Sequence, residues 1–157
     1  MVFRQGTAGD AAAVFALMKK RVRWMEQKGL RQWNENGYLA AYPEDYYARH
    51  MAQFLVAVQE EKIMAAAALF DRDENWDGDR PALYLHHFVS DPDCPGAGDA
   101  LLRQAEALAQ VRGIHALRLD SDIDNRALGA YYESRGYLPR GTCTDGPYVG
   151  IKREKIL

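Results

Sequence analysis

The spacing of apolar residues in the first third of the chain predicts a strand and two helices. Val2 to Gln5 has the character of a short strand. Apolar residues then recur at steps of three and four, as on one face of a helix, at Val14, Leu17, Met18, Val22 and Met25. Gly29 fits the end of this helix, because glycine readily adopts the left-handed conformation found there. After an aperiodic loop over residues 30–42, Pro43 suits the first turn of a second helix.

A hairpin is predicted next, from two apolar runs over residues 54–58 and 63–70. Glu60 and Glu61 provide the tight turn between them. The alanines from Ala65 to Ala68 favour a helix by intrinsic propensity, whereas the shortness of the run and its turn-like flanks favour a strand. We predict a strand, followed by a polar surface loop over residues 71–81.

Strand and helix patterns alternate in the second half of the chain. A largely apolar run over residues 82–89 predicts a strand buried on both faces. A turn with two glycines then leads into a helix that ends at Gly113. The remaining elements are predicted as a strand over residues 116–119, a helix over 125–135 and strands over 137–142 and 148–152. The strands over residues 82–89 and 116–119, on either side of the helix that ends at Gly113, should be parallel and adjacent, with a right-handed crossover.

Composition places these elements in one α/β domain over residues 1–157, since 48% of the residues are hydrophobic and 27% are charged. The 20 basic and 22 acidic side chains nearly cancel, which argues against a nucleic-acid or membrane-binding surface. The basic residues between Lys19 and Arg23 are interpreted as the solvated face of a helix. Only Cys94 and Cys143 are present, and no apolar run resembles a signal peptide or a membrane span. These features predict a cytoplasmic protein.

A turn between a buried strand and a helix is the first candidate site, in the segment LHHFVSDPDCPGAGDALL from Leu85 to Leu102. Backbone amides at a helix N-terminus bind phosphate groups, and Gly96 and Gly98 let the chain turn tightly there. The third glycine of a Rossmann-type dinucleotide site is missing. By itself, the turn either binds a phosphorylated cofactor or only shapes the connection.

A second motif lies downstream, in SDIDNRALGAYYESRGY, where Asn125 precedes Tyr132 and then Gly136 and Tyr137. Together with the glycine turn, it resembles the GNAT family of N-acetyltransferases, and the order of elements agrees over essentially the whole chain. The resemblance implies a mixed central sheet of about six to seven strands flanked by about four helices. It also implies direct acetyl transfer from acetyl-CoA to a primary amine in a ternary complex, with no metal. The alternative is a non-catalytic module of the same fold that senses CoA or binds a partner.

The resemblance also assigns cofactor contacts. The pyrophosphate of acetyl-CoA would lie on backbone amides at the glycine turn, and the strand before it would face the cofactor with its backbone. Asn125 would cap the following helix, contact the cofactor, or do both. The residues so assigned are Phe88, Val89, Gly96, Ala97, Gly98, Asp99, Ala100 and Asn125.

The glycine turn departs from the family pattern at one position. Asp93 stands where the family has a basic residue or glutamine, and its charge would repel a pyrophosphate. Asp99 at the helix start competes for the same amides. The backbone donors remain, and we therefore expect CoA to bind without a basic side chain.

Tyr132 is the predicted catalytic acid, because by resemblance its hydroxyl protonates the departing CoA thiolate. A phenol of pKa ~10 and a thiol of ~8.5 are matched closely enough for this transfer. The alternative is that Tyr132 is an ordinary core aromatic. His87 is the predicted base that leaves the attacking amine neutral, since strand alternation places it on the same side as Val89 and puts His86 on the opposite face. A structural histidine with deprotonation through water is the alternative.

The acceptor pocket is expected in the loop before the second helix, at Trp33, Glu35 and Tyr38. An ordinary surface loop anchored by the tryptophan explains these residues equally well. The acceptor is a small-molecule or peptide amine that the sequence does not identify. The histidines and cysteines lack the spacing of metal ligands. The segment Ile151 to Leu157 is a candidate edge strand for pairing with a second copy in a homodimer.

Overall fold

The computed structural model describes residues 1–30, 33–34 and 37–157. Its elements, in chain order, are β1 (Val2–Gln5), α1 (Ala11–Lys28), α2 (Tyr38–Ala41), α3 (Glu44–His50), β2 (Phe54–Gln59), β3 (Lys62–Phe70), β4 (Leu83–Ser90), α4 (Ala97–Val111), β5 (Ala116–Asp122), α5 (Arg126–Glu133), β6 (Leu138–Asp145) and β7 (Tyr148–Ile156). Short 3₁₀ turns lie at Ala8–Asp10 and Met51–Gln53. The predicted mixed α/β fold is confirmed: the residues just given form a seven-stranded sheet and five helices, of which α2 is a single turn.

The sheet has the order β1-β2-β3-β4-β5-β7-β6, and among the strands of the described residues only β4 and β5 are parallel neighbours. Helices α4 and α5 pack on one face of it, and α1 and α3 pack on the other. The alanines of β3 are fully buried between these layers: Ala65 and Ala67 face α4, while Ala66 and Ala68 face α1 and α3. Burial on both faces of the sheet therefore outweighs the helical propensity of these alanines, and the predicted strand is confirmed.

The ends of two elements confirm the predicted turn chemistry. Gly29 ends α1 at φ 67°, and its amide donates to the carbonyl oxygen of Glu26. Glu60 and Glu61 connect β2 to β3 with φ values of 50° and 63°. Two consecutive left-handed residues match the twist of a tight hairpin.

Strands β4 and β5 separate soon after they begin to pair. Their parallel bridges are Leu83 with Leu117 and Tyr84 with Arg118, although β4 continues to Ser90 and β5 to Asp122. A cleft therefore opens between the carboxyl ends of two parallel strands. Open α/β sheets bind their ligands at such positions.

The prediction that Ile151 to Leu157 forms an edge strand is wrong. β7 lies between β5 and β6, with Ile156 paired to Ala116 and Glu154 paired to Leu138. The edges of the sheet are β1 and β6. The last strand inserts between β5 and β6, so its backbone groups are used on both sides. Within the described residues, no helix combines the length and apolar character that a membrane crossing requires.

Candidate active site

The first turn of α4 lies directly against the end of β4. A Cβ atom built on Gly98 would lie 3.0 Å from Ser90 Oγ and 3.4 Å from Phe88 Cζ. Gly96 precedes the helix in the left-handed region, at φ 90°. Gly98 leaves room for the side chains of Ser90 and Phe88, and Gly96 adopts a left-handed backbone conformation that side chains with a Cβ disfavour. Together the two glycines place the N-terminus of α4 at the mouth of the cleft.

Two of the four predicted amide donors already have backbone acceptors. The Ala97 amide donates to Cys94 at 3.2 Å, and the Ala100 amide donates to Gly96 at 2.9 Å. Within the described part of the chain, the Gly98 and Asp99 amides have no backbone acceptor. These two are the donors that an anion at this helix end can use.

The basic residues of α1 do more than face solvent, which corrects the interpretation of that cluster. Lys20 Nζ lies 2.6 Å from Asp91 and 2.8 Å from Asp93. Arg21 donates from Nε to the carbonyl oxygen of Ser90 at 3.0 Å. The negative charge of Asp93 is therefore paired with Lys20 of α1. Through Lys20 and Arg21, α1 contacts and stabilises the loop between β4 and α4.

Asp99 is also paired, with Arg103 on the next turn of α4 and with Arg135 after α5. These ion pairs lower the pKa of Asp99, with the hydrogen bond from Arg135 the largest cause. An open pocket of about 410 Å³ lies beside them and is lined by Asp99, Leu102, Arg103, Glu106, Ser134, Arg135 and Lys155. The ion pair between Asp99 and Arg103 could be predicted from the sequence, because the two residues are four apart on one helix. The contact with Arg135 could not, because that residue follows α5 and is distant in sequence.

Tyr132 lies on α5 and packs in the core cluster that also holds residues of β4, α4 and β5. It is 5% exposed and packs edge-on against Tyr131 and Tyr137, with ring centroids 5.4 and 5.9 Å away. Its hydroxyl has no hydrogen-bond partner among the described residues. Burial raises the pKa of Tyr132, and the nearby Asp120 carboxylate adds to the rise. The hydroxyl therefore stays protonated and is available to donate a hydrogen bond.

Asn125 caps the helix that carries Tyr132. Its Oδ1 accepts a hydrogen bond from the Leu128 amide at 3.1 Å, and the residue is 8% exposed. This confirms the predicted cap. A cofactor contact by the same residue stays a prediction.

Asp120 is the residue that the sequence reading missed. It lies on β5, two residues beyond the last bridge to β4, and accepts a hydrogen bond from the Tyr148 hydroxyl at 2.6 Å. Lys152, its neighbour on β7, donates instead to the Asn75 carbonyl at 2.8 Å. Within the described residues, no basic side chain forms an ion pair with Asp120, and burial raises its pKa. The sequence offered one signal for this candidate: Asp120 is a charged residue within the otherwise largely buried strand segment LRLDSD.

His87 is enclosed by tyrosines on the acceptor side of β4. The Tyr38 hydroxyl contacts its Nδ1, and the Tyr46 hydroxyl lies 2.9 Å from its Nε2. The Tyr42 ring stands edge-on at a centroid distance of 4.6 Å. Burial lowers the pKa of His87 to about 3. With both nitrogens engaged and so weak a basicity, the imidazole is poorly suited to remove a proton from an ammonium, and its role as base stays a prediction that these contacts disfavour.

A bulge explains why strand alternation misplaced His86. Ala66 pairs with Val89 and Ala68 pairs with His86, so Ala67 alone opposes two residues of β4. The His86 ring lies 6.2 Å from that of His87, and its Nε2 contacts Asp73 at 2.8 Å. The two histidines share one side of the sheet, and the prediction that His86 points to the other face is wrong.

The predicted acceptor residues lie together with His87. Trp33 stacks on Tyr38 at a centroid distance of 5.4 Å and an interplanar angle of 20°, and Tyr38 in turn contacts His87. Glu35 lies outside the described residues. Among those that are described, no group of three or more histidine, cysteine, aspartate or glutamate side chains is arranged to hold a metal ion.

Comparisons with known proteins agree with this architecture. The profile described as "Acetyltransferase (GNAT) family" matches residues 21–137. The Bacillus subtilis (strain 168) protein named uncharacterized N-acetyltransferase YesJ is 25% identical over 158 aligned positions, which cover 89% of this chain and 83% of that protein. The PaiA N-acetyltransferase from Thermoplasma acidophilum, solved in complex with coenzyme A, superposes with a TM-score of 0.78 at 18% identity, over 99% of this chain and 98% of that one. A GNAT acetyltransferase from Listeria monocytogenes 4b F2365 gives 0.79 at 20% identity, over 99% and 94%.

Proposed function

Since the chain belongs to the acetyltransferase (GNAT) family, we propose that it transfers an acetyl group from acetyl-CoA directly to a primary amine in a ternary complex. The observation that carries the proposal is the buried Tyr132, whose hydroxyl has no hydrogen-bond partner in the described part of the chain and whose ring packs in the same cluster as Leu85 of β4 and Leu119 of β5. In this proposal an extended acyl chain enters between the separating strands, and the protonated phenol of Tyr132 supplies the proton that a leaving thiolate needs.

The N-terminus of α4 fits the phosphate groups of the cofactor. In the part of the chain that the structure describes, the Gly98 and Asp99 amides have no backbone acceptor. The guanidinium groups of Arg103 and Arg135 both bind the Asp99 carboxylate next to them. Pairing with Lys20 reduces the repulsion expected from Asp93. Two backbone donors and two guanidinium groups thus support phosphate binding without a basic residue in the turn itself.

Asp120 is the group that we assign to the acceptor amine. Its carboxylate raises the pKa of both Tyr132 and Tyr42, so it lies within electrostatic reach of the cofactor side and of the acceptor aromatics. Without a basic partner in the described structure, it favours an ammonium beside it and takes up the proton when the amine attacks, directly or through water. A backbone N–H near Phe88 and Val89 stabilises the oxyanion of the tetrahedral intermediate. As the C–S bond breaks, Tyr132 gives its proton to the departing thiolate, and solvent restores that proton while Asp120 releases the proton of the amine to solvent.

Release of free thiol from acetyl-CoA, measured across a panel of small amines and peptides, tests the proposal. We expect Tyr132→Phe to lower kcat by about 10²-fold or more, because a positioned general acid contributes about that much. Tyr131→Phe, one position away on the same helix, is the matched control and should keep wild-type kcat. Asp120→Asn should lower kcat and remove the acidic limb of the pH profile.

The same assay separates the alternatives. Acetyl-CoA binding by calorimetry without turnover of any amine would identify a non-catalytic CoA-binding module instead, for which the unusual Asp93 is the motivating feature. Equal kcat values for Tyr132→Phe and Tyr131→Phe would remove Tyr132 from the chemistry. If His87→Gln loses the acidic limb of the pH profile of kcat and Asp120→Asn keeps it, His87 and not Asp120 is the base.

A further inference from the structure

His87 occupies a backbone conformation that strands rarely contain. Its φ is 51°, in the left-handed region, at the position where Ala67 of β3 faces two residues of β4. Histidine tolerates this region better than most residues other than glycine, but it still needs surrounding contacts to stay there. The bulge therefore depends on what holds the His87 side chain.

The bulge decides which side chains of β4 face the cofactor helix. In a regular strand, Phe88 would point to the same side as His86, because alternate residues share a face. Instead, Phe88 packs in the cluster beneath α4, close to Gly98, while Val89 packs in the cluster beneath α1 and α3. One residue in the left-handed region thus sets the geometry of the strand beside the proposed acetyl group.

Two tyrosines from the acceptor side hold the imidazole at both nitrogens. Tyr38 belongs to α2 and contacts Nδ1, while Tyr46 belongs to α3 and lies 2.9 Å from Nε2. A neutral imidazole donates from one nitrogen and accepts at the other, so one tyrosine accepts a hydrogen bond and the other donates one. The Phe54 ring lies nearly parallel to the imidazole, at a centroid distance of 6.3 Å.

We propose that His87 is a positioning residue: clamped between Tyr38 and Tyr46, it fixes the bulge in β4 and thereby links the acceptor-side aromatics to the strand that faces acetyl-CoA. The proposal rests on the proposed acetyltransferase function for its effect on turnover. The clamp itself is a property of the free protein. Its consequence is that the acceptor segment and the cofactor strand keep one relative arrangement.

Three substitutions at position 87 separate conformation from chemistry. His87→Asn keeps a side chain that tolerates the left-handed region and can hydrogen-bond, His87→Gly keeps the conformation but loses the clamp, and His87→Ala loses both. We expect kcat to fall by less than about fivefold in the Asn variant and by about 30-fold or more in the Ala variant, with Gly between them. The shape of the pH profile should stay the same in all three.

The amide signal of Gly98 gives a readout that needs no activity. Because the Phe88 ring lies beside Gly98, loss of the bulge in His87→Ala should shift this NMR signal, and His87→Asn should leave it in place. Tyr46→Phe removes one hydrogen bond with little change of shape, and it should lower kcat by a few-fold even if the Ala variant does not fold.

The outcomes separate a failure of the positioning role from a failure of the proposed acetyltransferase function. Wild-type kcat together with an unshifted Gly98 signal in His87→Ala would overturn the positioning role. Equal losses in all three variants, with a lost limb of the pH profile, would also overturn it and indicate proton transfer by His87. If the wild-type protein acetylates no amine, the proposed function fails, while the Gly98 signal still decides whether His87 holds the bulge.

Discussion

Acidification should destabilise the protein through one buried imidazole. Burial lowers the pKa of His87 from 6.5 to about 3, with His86 and His50 as smaller causes. Because the pKa of His87 is lower in the folded protein than in the unfolded chain, the unfolded chain binds a proton between these two pKa values and the folded protein does not. Stability is therefore lost as pH falls through 6.5, and the loss grows until the pH reaches about 3.

The magnitude follows from the two pKa values. At pH 5 the solution is about 1.5 units below the unfolded pKa and still well above the folded one, so at about 1.4 kcal/mol per unit the loss is about 2 kcal/mol. At pH 7.5 the same group contributes almost nothing. His87→Gln lacks the titrating group and should not show this part of the pH dependence.

Urea denaturation of wild type and His87→Gln at pH 7.5 and pH 5.0 measures the difference. The free energy of unfolding should fall by about 2 kcal/mol more in wild type than in the variant. The other titratable groups are present in both proteins, so their contributions cancel in the comparison. Equal pH dependence in the two proteins, within about 0.5 kcal/mol, would refute the argument that this imidazole is kept neutral by its surroundings.

Three further predictions concern the helix end, the sheet interior and the pocket. Gly98→Ala should weaken acetyl-CoA binding in calorimetry by about tenfold, because its Cβ would lie 3.0 Å from Ser90 Oγ, whereas Gly9→Ala, with only Thr7 Oγ1 at 3.8 Å, should bind normally. Glu154→Ala should cost about 2 kcal/mol or more in urea denaturation, since it removes one of the two carboxylates that bind the buried Arg118 and leaves only Asp79. Asp93→Ala, in the solvent-exposed pair with Lys20, should cost less than about 1 kcal/mol. Arg135→Gln should weaken acetyl-CoA binding by about tenfold at low salt and by less at high salt, and an unchanged affinity at low salt would remove Arg135 from the phosphate site.

Local patterns predicted most of the fold because each pattern was consistent with the packing that followed. The periodic stripe of α1 is buried as expected, and the four alanines of β3 form a strand because helices cover both faces of the sheet. The cap at Asn125 and the turn at Glu60 and Glu61 follow from local chemistry alone. Such features need no information from distant parts of the chain.

The features that the sequence did not predict depend on contacts between distant segments. The imidazole of His87, at the bulge, contacts hydroxyl groups that lie 49 and 41 residues away in the chain, at Tyr38 and Tyr46. Lys20 meets Asp91 across 71 residues, and β7 is an interior strand only because it inserts between β5 and β6. Asp120 became a candidate once its lack of a basic partner in the described structure was visible.

A crystal structure of the protein with CoA would show whether the cofactor binds where β4 and β5 separate. We expect the pantetheine arm between these two strands, the sulfur within hydrogen-bond distance of the Tyr132 hydroxyl, and the pyrophosphate on the Gly98 and Asp99 amides. CoA bound away from this cleft, or a sulfur on the far side of the sheet from Tyr132, would contradict the proposed site.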